Sequence, residues 1–150
     1  MAETIKALSD ALFSKLQKES FVLLSTNDAE TGAPNINAIS WVYAVTPERI
    51  RFALDQRSRI VRNLKANASA ILTYIGNGSV HAIYGTVETV AEALEGVPFK
   101  LACFDLAIDA VRDAMFYGAR ITVDPEYEKT YDKRAAEKLD GQVFAAMKKA

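Results

Sequence analysis

Hydrophobic and polar residues change their period between Arg49 and Asn67, in the stretch RIRFALDQRSRIVRNLKAN. Ile50, Phe52 and Leu54 alternate with Arg51, Ala53 and Asp55, which is the period of a strand. Ile60, Val61 and Leu64 then take helical spacing, so a helix is predicted over 58–66. The switch falls at Gln56-Arg57-Ser58-Arg59, where Ser58 is a good N-cap residue. Upstream, Ile5, Leu8, Leu12, Phe13 and Leu16 predict an amphipathic helix over 4–19. Phe21–Thr26 predicts a short strand, ended by turn residues from Asn27 to Pro34. Asn35–Val45 reads as one strand that is apolar on both faces, with neither face fully wet. Thr46-Pro47-Glu48 turns it into the Ile50–Leu54 strand as a hairpin.

Downstream, Ala68–Ile75 and Val80–Ala91 predict strands joined at Gly76-Asn77-Gly78-Ser79, and Gly85 marks a bulge or a close backbone approach. Residues 101–115 fit a helix through Leu101, Phe104, Ile108, Val111 and Met115, and a strand through Phe104, Leu106, Ile108 and Ala110. Ala119–Val123 predicts a last strand, and Asp124-Pro125 has the cap-plus-proline form that opens a C-terminal helical region. In that region Tyr127, Tyr131, Leu139, Val143, Phe144 and Met147 supply apolar contacts, and Asp140-Gly141 is expected to kink or split the helix. Strands in hairpin order with helices at both ends and one between predict an α+β domain spanning 1–150. Its core is an antiparallel, six- to seven-stranded barrel, closed or nearly so, with flanking helices.

Composition removes several function classes. Eighteen Lys and Arg against nineteen Asp and Glu leave a net charge of −1, which argues against a nucleic-acid or membrane surface acting through bulk charge. The single Cys103 cannot form an internal disulfide, the N-terminus has no signal-peptide pattern, and no apolar run is long enough for a bilayer. A cytoplasmic protein is expected.

The chemistry that stands out is at the strand-to-helix switch. The first turn of a helix carries unpaired N–H groups at a partially positive end. Arg57 and Arg59 flank the cap Ser58, with Arg62 one turn on, so the segment could cradle a phosphate-sized anion. The same arginines could equally be solvated surface residues. No glycine-rich nucleotide loop is present.

Three segments, GAPNINAISWVYAV, IRFALDQRSRIVRNLKANASAILTY and VHAIYGTVETV, together resemble the FMN-binding split barrel proteins, the pyridoxamine 5′-phosphate oxidase-like family. The resemblance covers residues 21–91 well and the remainder loosely. It implies Ser58 and Arg59 as ligands of the FMN phosphate with Arg57 as helper, and a ring-lining segment from Asn37 to Val42 that makes Asn37, Ser40 and Trp41 cofactor candidates. It also implies a homodimer with the flavin at the subunit interface, and it favours the strand over 101–109. Two positions depart from the family pattern: Ile60 stands where a Lys often follows the Ser-Arg pair, and Asn37 where an early basic residue is common. The Arg-Leu…Pro ending with which true oxidases grip pyridoxal phosphate is absent, the chain ending in VFAAMKKA, so vitamin B6 chemistry is not expected.

Other residues carry weaker signals. His81, the only histidine, suits a packed strand position or the flavin edge, and Cys103 suits inert core. Asp105, Asp109 and Asp113 would line one face only of a helix, and no metal site is expected. Trp41 fills core or interface, or stacks on a flavin, and Tyr127 and Tyr131 dock the C-terminal helix. The resemblance implies an FMN-dependent oxidoreductase of unknown substrate that meets a small-molecule redox partner. Two rivals remain: a non-catalytic flavin- or haem-binding stress module on the same barrel, and a dimer with an empty site.

Overall fold

The computed structural model describes residues 4–150. Helix α1 spans only Asp10–Lys15, because the Ser9 side chain accepts the Leu12 amide at 3.2 Å and starts the helix there. This corrects the helix predicted over 4–19. Ile5 lies outside it and bridges Val111, whose amide donates to the Ile5 carbonyl at 2.7 Å. Downstream, the polar run Gln17-Lys18-Glu19 has no apolar face to bury. Leu8, Leu12 and Leu16 still enter the core.

Seven strands follow: β1 (Val22–Asn27), β2 (Pro34–Ile39), β3 (Val42–Thr46), β4 (Arg49–Asp55), β5 (Ser69–Gly76), β6 (Ser79–Ala91) and β7 (Leu101–Asp113). Helix α2 (Arg59–Ala66) lies between β4 and β5, and α3 (Lys133–Lys149) ends the chain. All neighbours are antiparallel, in the order β2-β1-β5-β6-β7-β4-β3. The architecture is the α+β split barrel expected from the sequence.

The single strand expected over 35–45 is two strands broken at Ser40-Trp41. β2 pairs with β1 at one edge of the sheet and β3 with β4 at the other, so one continuous peptide supplies both edges. The sheet curls until its edges meet at this corner, and the covalent chain closes it. The reading of a strand with no wet face therefore holds for β3, where Val42, Tyr43 and Ala44 are buried, and fails for β2, which leaves Ile36 59% exposed.

The ambiguity over 101–115 resolves as strand, through 13 residues of β7. Ala102, Phe104, Leu106 and Ile108 point into the barrel with Leu24, Phe52, Leu72 and Ile83, and the directly paired Phe52 and Phe104 rings stack at 5.6 Å. The opposite face of β3, β4 and β7 forms a second core, in which Tyr43, Ala53, Leu101 and Cys103 pack against Val143, Ala146 and Met147 of α3. Two apolar faces explain why these strands read as continuous apolar runs. At Gly85 a Cβ would lie 2.4 Å from Leu106 Cδ2 and 2.5 Å from the Ala107 carbonyl oxygen. The β6–β7 register also shifts there, leaving Asp109 as the extra residue, so the bulge and the close approach coincide.

Residues 119–123 are not a strand. They belong to an irregular connection from β7 to α3, tied at one point by the Ile121 amide donating to the Gly78 carbonyl at 2.9 Å. Asp124 does not cap a helix either: its carboxylate accepts the Asn77 amide at 3.0 Å and Lys15 Nζ at 3.1 Å. The cap is Asp132, which accepts from the Arg134 and Ala135 amides at 2.8 and 3.2 Å. From there α3 runs unbroken through Asp140-Gly141. Gly141 is on the exposed face and costs about 1 kcal/mol relative to Ala, too little to split a helix held by its buried stripe.

Candidate anion-binding site

The junction of β4 and α2 forms as its sequence suggests, with Ser58 as N-cap accepting the Ile60 amide at 3.2 Å. Its neighbouring amides are already spent. Arg57 N donates to Asp55 Oδ1 at 2.8 Å, Ser58 N to the Asp55 carbonyl at 2.9 Å, and Val61 N to the Ser58 carbonyl at 3.1 Å. Only the Arg59 amide lacks a partner among these early positions. The expectation that many backbone donors converge here is corrected on that ground: the positive character resides in guanidinium groups.

The three arginines have different surroundings. Arg57 folds back on Asp55, with Nε 3.3 Å and Nη2 3.4 Å from its carboxylate, and its side chain is 90% exposed. That pairing holds the Asp55 carboxyl below the usual carboxylate range. Arg59 and Arg62 line a cleft of about 430 Å³ between α2 and the β1–β2 hairpin. Arg59 Nη1 is 4.0 Å from Asp28 Oδ1, and Arg62 makes no ion pair among the described residues.

The hairpin is the other wall. Asp28 Oδ2 accepts the Thr31 amide at 2.9 Å, the Glu30 amide at 3.1 Å and the Thr31 hydroxyl at 3.1 Å, which shapes the loop and lowers the carboxyl's pKa, the Thr31 amide contributing most. Asn63 joins the walls: its side chain accepts the Ala29 amide at 2.9 Å and donates to Thr26 Oγ1 at 3.2 Å. Arg59 and Arg62 face two carboxylates of the hairpin, Asp28 and Glu30, so the formal charges balance; what suits the cleft to a phosphate-type anion is the guanidinium donors that the hairpin leaves free, since Asp28 Oδ2 is taken up by its own loop.

The remaining candidates are distributed elsewhere. Asn37, exposed on β2, accepts from Asn35 Nδ2 at 3.0 Å. Ser40 lines a separate cavity of about 370 Å³ with Phe21, Ala38, Ile39, Tyr127 and Lys129. β2 links the two places, with Pro34 and Asn35 at the arginine cleft and Ala38 and Ile39 at the cavity. Trp41 donates its indole N–H to Asp140 Oδ1 at 2.9 Å and packs on the second core, fastening α3. The cleft therefore brings together Arg59, Arg62, Asn63 and the 28–35 hairpin, and Arg57, Ser58, Asn37, Ser40 and Trp41 lie outside its lining.

Asn63 and the hairpin escaped the sequence reading. A polar residue set into the apolar stripe Ile60, Val61, Leu64, and falling four positions after Arg59, was the available signal. His81 Nε2 lies 3.1 Å from the Gly76 carbonyl oxygen, and its ring stacks on Tyr74. Cys103 is fully buried, and burial pushes its thiol up to about 11. In the strand, Asp105, Asp109 and Asp113 go to different partners: Arg51, Thr86 and Ser79. Tyr127 donates to Glu19 at 3.0 Å, and burial with that bond pushes its hydroxyl up to about 12. No described helix is long and apolar enough to cross a membrane.

Residues 8–126 match the protein family described as Pyridoxamine 5′-phosphate oxidase. No protein of curated function matches the sequence. Among solved structures, HupZ of Group A Streptococcus superposes with TM-score 0.60 at 12% identity, covering 76% of this chain and 98% of that one. An F420 reductase gives TM-score 0.56 at 20% identity over 66% and 94% of the two chains. HutZ, the heme storage protein of Vibrio cholerae, gives 0.54 at 13% identity over 71% and 94%. At these identities the likeness is one of fold.

Proposed function

The chain belongs to the pyridoxamine 5′-phosphate oxidase family, and on that premise we propose that it is a cytoplasmic FMN-binding protein acting as a flavin-dependent oxidoreductase on a small molecule. The observation that carries the reading is the cleft in which Arg59 and Arg62 face the β1–β2 hairpin. Those guanidiniums hold the phosphate, and Ser58 fixes the start of α2 on which both arginines are mounted. β2 runs from the cleft to the cavity lined by Ser40, and on this reading Asn37 and Ser40 would lie beside the ring. Bound flavin supplies the redox chemistry, and the chain anchors the phosphate, orients the ring and excludes water. A second copy of the chain completes the site: β2 is an edge strand with exposed Ile36 and Ala38, and its burial in a homodimer removes that edge from water.

The visible spectrum after addition of FMN and removal of free flavin by filtration tests this reading. Flavin bands near one per subunit are expected, and a colourless protein would overturn it. Bleaching of those bands by NADH or NADPH in an anaerobic cuvette then separates an oxidoreductase from a storage module.

A second reading, haem or flavin binding without catalysis, draws on the fold shared with the heme storage protein HutZ. It predicts a Soret band on addition of haemin. The sole histidine, His81, is half-buried against Tyr74 and the Gly76 carbonyl, so holding a haem iron through Nε2 would require that contact to break.

A further inference from the structure

Among the described residues, Asn63 makes the side-chain hydrogen bonds that tie the two walls of the arginine cleft to each other. Its residue is 0% exposed, on the buried stripe of α2, between Arg62 and Leu64. A fully buried amide needs partners, because each unmade hydrogen bond there costs its full desolvation. Asn63 finds them outside its helix: its Oδ1 accepts the Ala29 amide at 2.9 Å and its Nδ2 donates to the Thr26 hydroxyl at 3.2 Å, itself 3% exposed. Both partners are on the β1–β2 hairpin, 34 and 37 residues away in sequence. Beyond Ala29 the loop is shaped by Asp28, whose carboxylate gathers the Glu30 and Thr31 amides. The internal form of the loop is thus set by Asp28, and its distance from α2 by Asn63.

We infer that Asn63 is a positioning residue for anion binding: through Ala29 and Thr26 it holds the hairpin at the separation from Arg59 and Arg62 that makes a phosphate-sized cleft. The inference rests on the reading of that cleft as a phosphate site. Because Asn63 is 0% exposed, it acts on a ligand through the hairpin that its amide holds. Without the clamp the arginines would remain charged and mounted on α2, but the opposite wall would be free to move away, and two exposed guanidiniums alone bind an anion weakly in water.

Backbone amide NMR tests this in the whole protein, with inorganic phosphate and FMN titrated separately into wild type, Asn63→Ala, Thr26→Val and Thr26→Ser. In Asn63→Ala the Ala29 amide should exchange at least tenfold faster while the Leu24 and Leu72 amides keep their protection. Phosphate and FMN affinities should fall at least tenfold although Arg59 and Arg62 are intact. Thr26→Val should lower both affinities severalfold, and Thr26→Ser, which keeps the hydroxyl, should behave as wild type. If Asn63→Ala does not fold, the contrast between the two Thr26 variants decides. Unchanged Ala29 exchange, or faster exchange with unchanged phosphate affinity, would overturn the inference. A wild type that answers phosphate but not FMN, with the variants weakened as above, would leave the clamp standing and overturn the flavin reading. A wild type that answers neither would overturn both.

Discussion

Five arginines fall between Arg49 and Arg62, and they divide into two groups with opposite fates. Arg51 on β4 is sunk between the sheet and α3, its side chain 12% exposed. It grips Asp105 with Nε at 2.7 Å and Nη2 at 3.0 Å, and Nη1 donates to the Met147 and Ala150 carbonyls at the negative end of α3. Arg49 completes that group, pairing with Asp105 at 3.2 Å and with Glu88. A few residues later Arg57, Arg59 and Arg62 stand in water, and the best-placed carboxylate near Arg59 is 4.0 Å away. A buried guanidinium with all three nitrogens engaged, as in Arg51, makes structure, whereas exposed ones with donors to spare are available to a ligand.

The sharpest way to break this contrast is to remove Asp105. Asp105→Ala leaves Arg51 charged, buried and unpaired, and should cost about 3–5 kcal/mol in urea unfolding. A loss below about 1 kcal/mol would place the two groups on the same footing. Next in size, Arg59→Ala should weaken FMN binding at least tenfold with the unfolding midpoint unchanged, as follows from losing a charge-assisted bond of about 1.5–3 kcal/mol. Flavin fluorescence titration reads that directly. Asp28→Asn removes the negative charge facing Arg59 while keeping an oxygen for the Thr31 amide. At low salt it should tighten FMN binding by up to about fivefold, the scale of one charge pair at 4 Å in water. Arg57→Ala should do least, shifting affinity less than threefold and stability by less than about 0.5 kcal/mol, because its partner is the exposed Asp55 and it lies outside the cleft. An effect as large as that of Arg59→Ala would mean the guanidinium leaves Asp55 for the ligand.

The same contrast shows what could be read from sequence. Elements set by local period and capping were legible: β4, α2 with its Ser58 cap, the β5–β6 hairpin and the bulge at Gly85. The failures arise where a distant partner decides. Ser40-Trp41 breaks a continuous apolar run because β2 and β3 pair with different strands, and no residue in the run signals that. Asp124-Pro125 has the form of a helix start, but Asn77 and Lys15 take the carboxylate and leave the cap to Asp132. Asp140-Gly141 resembles a breaker until Trp41, 99 residues away, bonds Asp140. At the site, the basic helix face was visible, but the hairpin wall depends on Asn63 reaching Ala29 across 34 residues. Which arginine would be buried depended on Asp105, which lies on another strand.

The corner at Ser40-Trp41 gives the barrel a seam. Because the outermost strands β2 and β3 are joined only by these two residues, one cut there would release both margins of the sheet together. The nicked chain would keep β2 on β1 and β3 on β4, but each outer strand would end in a free terminus, with the edge that carries exposed Ile36 no longer tied to the other. Each edge is a template for strand addition by another molecule. A single proteolytic event at this corner would therefore open the seam and free both outer edges while the strand ladders persist, whereas a cut in the irregular segment between β7 and α3 would leave the seam closed.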